Sequence, residues 1–273
     1  MSFNILFVVV LYKENLYNTN TYRTLLMNSE YPVYIYDNSP QNMHSVNEFN
    51  ERFIYVSNEH NPGLSKAYNI AAQYALKNKF EWILLLDQDT IFPINILPSY
   101  IDAIQKNPQI KLFCPKHQLT NKLFLSPVKK RGKTGQLSNT VPNGVLSLYC
   151  YIPINSGLLV NIEAFWNVGG YNEKVRLDFS DYQFIEKFRT KYEYFYVLNE
   201  VCKQNFSNDE QDEKKLYARF LLYLESVKNC KKESVLDNFL YSYVVLKHTI
   251  ALTIKVKRFI FLKSFLKEYV FKL

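Results

Sequence analysis

Trp82-Ile83-Leu84-Leu85-Leu86-Asp87-Gln88-Asp89-Thr90 places five apolar residues directly before two carboxylates that are separated by one residue. An unbroken apolar run of this length, closed by a polar turn, is the pattern of a strand buried on both faces. As a bare pattern Asp-x-Asp is weak, because a solvated turn accounts for most occurrences. At the carboxyl end of a buried strand it gains weight, since open α/β sheets bind their ligands just beyond such ends. Working outward, Phe3-Asn4-Ile5-Leu6-Phe7-Val8-Val9-Val10-Leu11 is a second such run. Residues 19–27 are expected to be helical, and residues 33–36 and 53–56 to be strands. Leu64 to Lys77 carries Ala67, Ile70, Ala71, Tyr74 and Ala75 at helical spacing. This succession predicts an α/β fold with a doubly wound, mainly parallel sheet flanked by helices. Polar residues follow each strand, at Tyr12-Lys13-Glu14, Asp37-Asn38-Ser39, 58–63 and 87–90, so four loops are expected to share one rim. Residues 116–144, rich in Lys, Gly, Asn, Ser and Thr, are expected to form a long mobile loop. A β pattern returns over 147–160, a short helix over 161–168, and the chain is expected to be helical after Asp209.

Composition narrows the class. With 273 residues and 48% hydrophobic content the chain can build one large domain plus an appendage. Aromatic residues at 16% against only 7 Gly exclude a disordered chain. Cys114, Cys150, Cys202 and Cys230 form no zinc-type cluster and are expected to be reduced core thiols. No basic leader precedes the first apolar run, and no window is expected to reach the roughly 18 to 20 apolar residues of a membrane span. A soluble or peripheral protein in the cytoplasm is the expectation. The net charge is +8, and residues 247–273 hold seven basic residues against one acidic, so most of the excess lies in the tail. The body is nearly neutral, which argues against a nucleic-acid groove across it.

Hard oxygen ligands such as Asp87 and Asp89 suit Mg²⁺ or Mn²⁺, which keep water and bridge substrate phosphates. Asn61-Pro62-Gly63-Leu64-Ser65 leads into the best helix of the first half, whose N-terminus could favour an anion such as a diphosphate, with Lys66 nearby. The alternative is a turn shaped by Pro62 and Gly63 and capped by Ser65. Asn69 suits a structural hydrogen bond as well as a substrate contact. His44, His60, His117 and His248 fall in no ligand spacing.

Tyr34-Ile35-Tyr36-Asp37-Asn38-Ser39, Asn61-Pro62-Gly63-Leu64-Ser65-Lys66-Ala67-Tyr68-Asn69 and Leu86-Asp87-Gln88-Asp89-Thr90, followed by Asn155-Ser156-Gly157 and Gly169-Gly170-Tyr171-Asn172-Glu173, resemble in order and spacing the signatures of family 2 glycosyltransferases. The rhamnosyltransferase-like branch is the nearest in pattern, and the likeness covers about residues 3–207. It implies a GT-A fold. Residues 1–207 would be the catalytic domain, with a nucleotide-sugar half over about 1–115 and an acceptor half over about 145–207. Residues 208–273 would be a basic, amphipathic helical extension. It also implies inverting transfer from a nucleotide sugar, of dTDP-rhamnose, UDP or GDP type, to a glycan or lipid-diphosphate-linked saccharide in cell-surface polysaccharide synthesis, such as O-antigen or capsule. By position, Tyr12, Glu14, Asp37, Asn61, Gly63, Lys66, Asn69, Asp87 and Gln88 would meet the nucleotide sugar, although Asp37-Asn38-Ser39-Pro40 is also a good turn in its own right. Asp87 and Asp89 would hold the metal. The acidic segment Arg176-Leu177-Asp178-Phe179-Ser180-Asp181-Tyr182 would supply the general base, with Asp181 favoured and Asp178 second. Asn155, Ser156 and Gly157 would face the acceptor, and Lys187 or Arg189 the diphosphate. The sequence departs from the family at one point, where Gln204 stands in place of a histidine that often completes metal or diphosphate binding. This motivates a second reading, a catalytically weakened relative that binds a sugar nucleotide or glycan. A nucleotidyltransferase on a similar sheet is disfavoured, since no early Gly-rich loop carries the Arg and Lys that cradle a triphosphate.

In the tail, Phe259, Leu262, Leu266, Tyr269, Val270 and Leu273 fall on one helical stripe, with Lys263, Ser264, Lys267, Glu268 and Lys272 away from it. Over residues 250–273 this suits an interfacial helix on an anionic membrane, for instance the cytoplasmic face of an inner membrane. A helix packed on the catalytic domain, or a dimer contact, fits the same pattern.

Overall fold

The structure, a computed structural model, describes residues 3–41, 44, 49–204 and 212–271. Strand β1 (Ile5–Leu11) is seven buried residues long. Its alternation sends Leu6, Val8 and Val10 into one core layer and Phe7, Val9 and Leu11 into the other, as a strand covered on both faces requires. It pairs in parallel with β2 (Val33–Asp37) and β4 (Trp82–Asp87), and β3 (Phe53–Ser57) extends β2. Beyond β4 the sheet continues through β10 (Leu158–Asn161), β5 (Leu112–Gln118), β11 (Tyr194–Lys203) and β8 (Gly144–Ser147), in the order β3-β2-β1-β4-β10-β5-β11-β8. β10 runs antiparallel to both neighbours, whereas β5 and β11 are parallel.

Helix α2 (Leu64–Lys77) lays Ala67, Tyr68, Ala71, Ala72 and Ala75 against one face of the sheet, and α3 (Ile96–Lys106) covers the other through Ile96, Tyr100, Ala103 and Ile104. Small alanines let α2 approach the strands closely. The helix expected over residues 19–27 is shorter. α1 (Asn20–Thr24) ends at Leu25, and a 3₁₀ turn Leu26–Asn28 follows. Asn and Thr, poor helix formers, dominate it.

Residues 116–144 are not a loop. They form the end of β5, then β6 (Phe124–Arg131) and β7 (Thr134–Ser138), with β6 also pairing β9 (Tyr151–Ile152). What orders this polar hairpin is a buried cation at its tip. Lys133 is bonded to both carboxylate oxygens of Glu186 at 2.9 Å and ion-paired with Asp237 at 2.9 Å, with the rings of Tyr182 and Tyr241 beneath it. Glu186 lies on α5 (Ser180–Phe188), and Asp237 on α7 (Val235–Val256). Breaking a buried ion pair by removing one partner strands the other. Lys133→Met, which keeps the aliphatic stem, is therefore expected to lower stability by about 3 kcal/mol. Chemical denaturation measures it, and an unchanged midpoint would deny the clasp its role.

The remaining helices are α4 (Ile162–Asn167), α6 (Glu213–Asn229) and α8 (Ile260–Ser264), the last continuing as a π-helical turn, Phe265–Val270. Helices α6 to α8 share a core of Phe220, Leu224, Val227, Tyr241, Val245, Phe261, Phe265 and Tyr269, closed by Val175 from the segment before α5. The stripe expected in the tail is split. Phe259, Leu266 and Val270 face outward, but Tyr269 is buried with Phe261 and Phe265, and Leu273 lies outside the described residues. One helix among the described residues, Val235–Val256, is long and apolar enough to cross a membrane by length and composition, contrary to the expectation of none. Of the cysteines, Cys114, Cys202 and Cys230 are buried as expected, whereas Cys150 is exposed.

Candidate active site

Register brings the strand ends level. Leu11 of β1 lies opposite Asp37 of β2, and Val10 opposite Asp87 of β4. Alternation then sorts the side chains. Ile83 and Leu85 face the core beneath α2, so Asp87, two residues on, turns to the same side and meets the Tyr68 hydroxyl at 3.4 Å. Ile35 faces the opposite layer, and Asp37 turns there.

The Asp87-Gln88-Asp89-Thr90 loop is braced from every side by groups other than its carboxylates. Thr21 donates to the carbonyls of Asp87 and Thr90, and Asn20 donates to that of Asp89 at 2.9 Å. Gln88 spends its amide on Tyr12, accepting the backbone N–H at 2.9 Å and donating to the carbonyl at 3.4 Å. Thr90 and Ser156 share a buried hydroxyl pair at 2.7 Å. The main chain of Ile91 pairs with Lys203 and so ties the loop to the end of β11. The bracing runs through main chain and neutral side chains, and among the side chains of the described residues the two carboxylates meet only the Tyr68 hydroxyl and the Gln204 amide.

Burial raises the Asp87 carboxyl to about 7, helped by the negative charges of Asp89 and Asp181 and opposed by hydrogen bonds from Gln204 and Tyr68. Desolvation raises Asp89 as well, although its side chain reaches solvent; its own backbone N–H and Gln204 pull the other way. Gln204 donates to Asp89 at 3.3 Å, and its carbonyl oxygen Oε1 is buried with no partner among the described residues. Two mutually repelling carboxylates offer hard oxygen ligands of the kind that suit Mg²⁺ or Mn²⁺, and Gln204, whose NH₂ faces Asp89 here, could add its amide oxygen to them. Among the described residues no group of three or more His, Cys, Asp or Glu is placed to hold a metal ion together, so any such ion would depend on water and phosphate oxygens for its other ligands. Residues 205–207, beyond Gln204, lie outside the described residues.

Asp181 sits in the first turn of α5, after Phe179 at a left-handed φ of 64°. Burial lifts its carboxyl to about 6; the Tyr182 N–H, 2.7 Å away, opposes this and Asp178 adds to it. Phe179 turns the chain between the two acids and separates their roles. Asp178 is ion-paired with Arg219 of α6 at 2.9 Å. That bond makes Asp178 an anchor for the C-terminal helices and leaves Asp181 as the base candidate.

Several residues expected to touch substrate also hold the frame. Asp37 is fully buried, its oxygens taken by the Ser39 N–H at 2.9 Å and the Tyr55 hydroxyl at 2.8 Å, which is the turn role its setting allowed. The N-terminus of α2 faces chain, not solvent. Leu64 N–H bonds the Arg176 carbonyl at 2.7 Å, and Ser65 donates to the Val175 carbonyl. Arg176 donates to the Asn61 carbonyl. Gly63, at a φ of 97°, has the Arg176 carbonyl where a Cβ would stand, 2.4 Å away, so only glycine fits. Asn61 and Gly63 thus shape this junction, and the anion site expected at this helix end is covered by backbone. Asn69 clasps both main-chain groups of Tyr171, at 3.0 and 2.8 Å, a structural role. Lys187 donates to the carbonyls of Gly169 and Gly170, and Arg189 pairs with Glu186 at 3.2 Å and lies over Tyr149. Both basic residues have partners within the chain. Asn155 accepts the Tyr171 hydroxyl at 2.6 Å, and Gly157 N–H bonds Leu85 O at 2.8 Å. With Ser156 these buried residues lock the floor of the rim. Tyr12, 46% exposed with Lys13 over its ring, and Glu14 remain at the open edge, as does partly exposed Lys66.

The sequence reading missed Tyr68, Thr21, Arg176 and Arg219. Tyr68 had a signal, since it shares the buried face of α2 with Ala71 and Ala75. The other three act through contacts distant in sequence.

Comparison with known proteins agrees with this geometry. The model of glycosyl transferase family 2 matches residues 7–150, just over half of the chain, and the chain belongs to that family. A curated relative, the dTDP-rhamnosyl transferase RfbF of Shigella flexneri, is 28% identical over 188 residues, which cover 66% of this chain and 62% of the relative. The chain thus spans less than two thirds of that relative's length. Among solved structures, S. aureus TarS 1–349 is similar at a TM-score of 0.52 and 16% identity, over 88% of this chain and 69% of that one. The same protein in complex with UDP gives 0.52 and 15%, over 90% and 71%. At this identity the likeness establishes the fold, a GT-A-like α/β sheet.

Proposed function

We propose that this chain is an inverting glycosyltransferase that moves a sugar from a nucleotide sugar to a saccharide acceptor. The observation that carries the proposal is the gathering of Asp87, Asp89 and Asp181 around Tyr68 and Tyr171 at one strand-end rim. Asp87, Asp89 and the Gln204 carbonyl would hold Mg²⁺ or Mn²⁺, which when bound stabilises charge on a departing diphosphate. Tyr12 offers an exposed ring and Glu14 an acceptor group for a nucleoside at the edge of the rim. Asp181 takes the proton of the acceptor hydroxyl as that oxygen attacks the anomeric carbon, and its carboxyl, lifted to about 6, remains a competent base at neutral pH. The Asp178–Arg219 ion pair and the locked Asn155-Ser156-Gly157 floor fix where that base stands. The dTDP-rhamnosyl transferase relative and the UDP complex of TarS support a dTDP- or UDP-linked donor.

Gln204 favours a second reading, a protein that binds the sugar nucleotide without turning it over, because an amide is a weaker metal ligand than imidazole. One experiment addresses both. Thermal unfolding is followed with dTDP-, UDP- and GDP-sugars in the presence of Mn²⁺ or Mg²⁺, and the stabilising donor is then assayed for transfer. Stabilisation with product supports the enzyme, stabilisation without product supports the binding protein, and stabilisation by none of the donors overturns both.

A further inference from the structure

Helix α7 is apolar on two opposite faces. One face is spoken for: Tyr241, Val245, Thr249 and Leu252 are buried, the apolar three within the core shared with α6 and α8. On the other, Leu236, Phe239, Tyr243, Leu246, Ile250 and Ile254 recur every three or four residues and all point out, with Leu236, Phe239 and Ile254 64%, 66% and 70% exposed. At 1.5 Å per residue this stripe runs for about 27 Å. Singly exposed leucines are ordinary on a protein surface, but a continuous stripe of six large apolar side chains marks a contact surface. Phe259, Leu266, Val270 and Phe271 are exposed in the following segment.

Charge identifies the occupant. Lys247, Lys255, Lys257, Arg258, Lys263 and Lys267 are exposed along the same C-terminal stretch. The acidic residue in the first turn of α7, Asp237, is bonded to Lys133. A second copy of the chain would bring the same cations against these, so self-association along the stripe is opposed by like charge. A surface that offers negative charge outside and an apolar interior matches both features. We propose that the outward face of α7 docks on an anionic lipid bilayer, with the helix lying in the headgroup plane. Spanning the bilayer, which its length and composition would permit, would pull Tyr241, Val245 and Leu252 out of their core. The stripe lies on the C-terminal helices and does not depend on the sugar-transfer reading.

The test is flotation of the full chain with phosphatidylcholine vesicles and with phosphatidylcholine vesicles containing phosphatidylglycerol. The expected result is binding to the anionic vesicles that weakens with salt. It should fall by roughly tenfold or more in the Phe239→Ser, Leu246→Ser, Ile250→Ser triple variant. These side chains face outward, so its thermal unfolding should match that of the wild type. If the triple variant is destabilised, Lys247→Glu, Lys257→Glu, Lys263→Glu replaces it, and undiminished binding by that variant overturns the proposal. So does a failure of the wild type to float with anionic vesicles. A lipid-free dimer, detected by light scattering and dissolved by the triple substitution, would assign the stripe to a second copy and overturn it equally.

Discussion

Replacing Asp181 by Asn is expected to lower the rate of sugar transfer by about two to four orders of magnitude, the range set by loss of a general base, while leaving donor binding intact. Asn keeps the size of the side chain and can still accept the Tyr182 N–H at the start of α5, so the frame should hold. The wild-type rate should rise with pH through an acid limb, because the base works only when deprotonated. In the free protein the Asp181 carboxyl lies at about 6. Its neighbours set the direction of further change: Asp178 and Asp87 repel its negative charge, and the Tyr68 and Tyr171 phenols are held neutral by burial. Any cation that offsets Asp87 and Asp89 lowers that limb below about 6. Asp178→Asn separates the two acids, since it should loosen the tie to Arg219 and lower stability without removing the limb. A variant Asp181→Asn with undiminished turnover, or a limb that survives in it, would remove Asp181 from the role.

How far the sequence disclosed this site follows from how local each contact is. β1, β4 and α2 are legible because a run such as Ile5–Leu11, or alanines at helical spacing, encodes burial within one segment. Asp87 and Asp89 follow from the end of β4. The hairpin at residues 124–138 was illegible because its faces carry Lys129, Arg131 and Gln136 with no apolar period. Its order comes from pairing with β5 and β9 and from Lys133 reaching two distant helices. The tail misled for a different reason. α8 gives way to a π-helical turn, and Phe261, Phe265 and Tyr269 face inward four residues apart, so the phase of a regular helix does not apply. Lys187, Arg189 and Asn69 have the residue types of ligands, yet each is consumed by a partner that only the fold brings near. Folding also hid Asp37, since a carboxylate at a strand end can turn to either face of the sheet.

The second large effect concerns the fold's own dependence on pH. Asp87, lifted to about 7, and Asp181, lifted to about 6, bind protons more tightly in the folded chain than in the unfolded one, where Asp titrates near 3.8. Where the native state holds more protons, stability falls as pH rises. These two carboxyls alone should make the unliganded protein lose a few kcal/mol at most between about pH 4 and 7, and buried His117 and His248, whose titration is lowered, offset part of that loss. Asp87→Asn removes the most strongly shifted charge of the set. It should raise the stability of the unliganded chain at pH 7.5 and flatten most of the slope, because the amide still accepts from Tyr68 and no longer repels Asp89 and Asp181. Mn²⁺ with a nucleoside diphosphate should restore wild-type stability at pH 7.5, since positive charge replaces the missing protons, and should do little for Asp87→Asn. Urea unfolding at the two pH values, with and without Mn²⁺ and UDP or dTDP, reads all four quantities. Because His117 and His248 are held neutral by burial and their contribution runs the other way, the decisive reading is the difference between wild type and Asp87→Asn: a pH slope that this substitution leaves unchanged would mean that Asp87 is ionised and compensated in the free protein, and the repelling pair would then be no measure of a cation site.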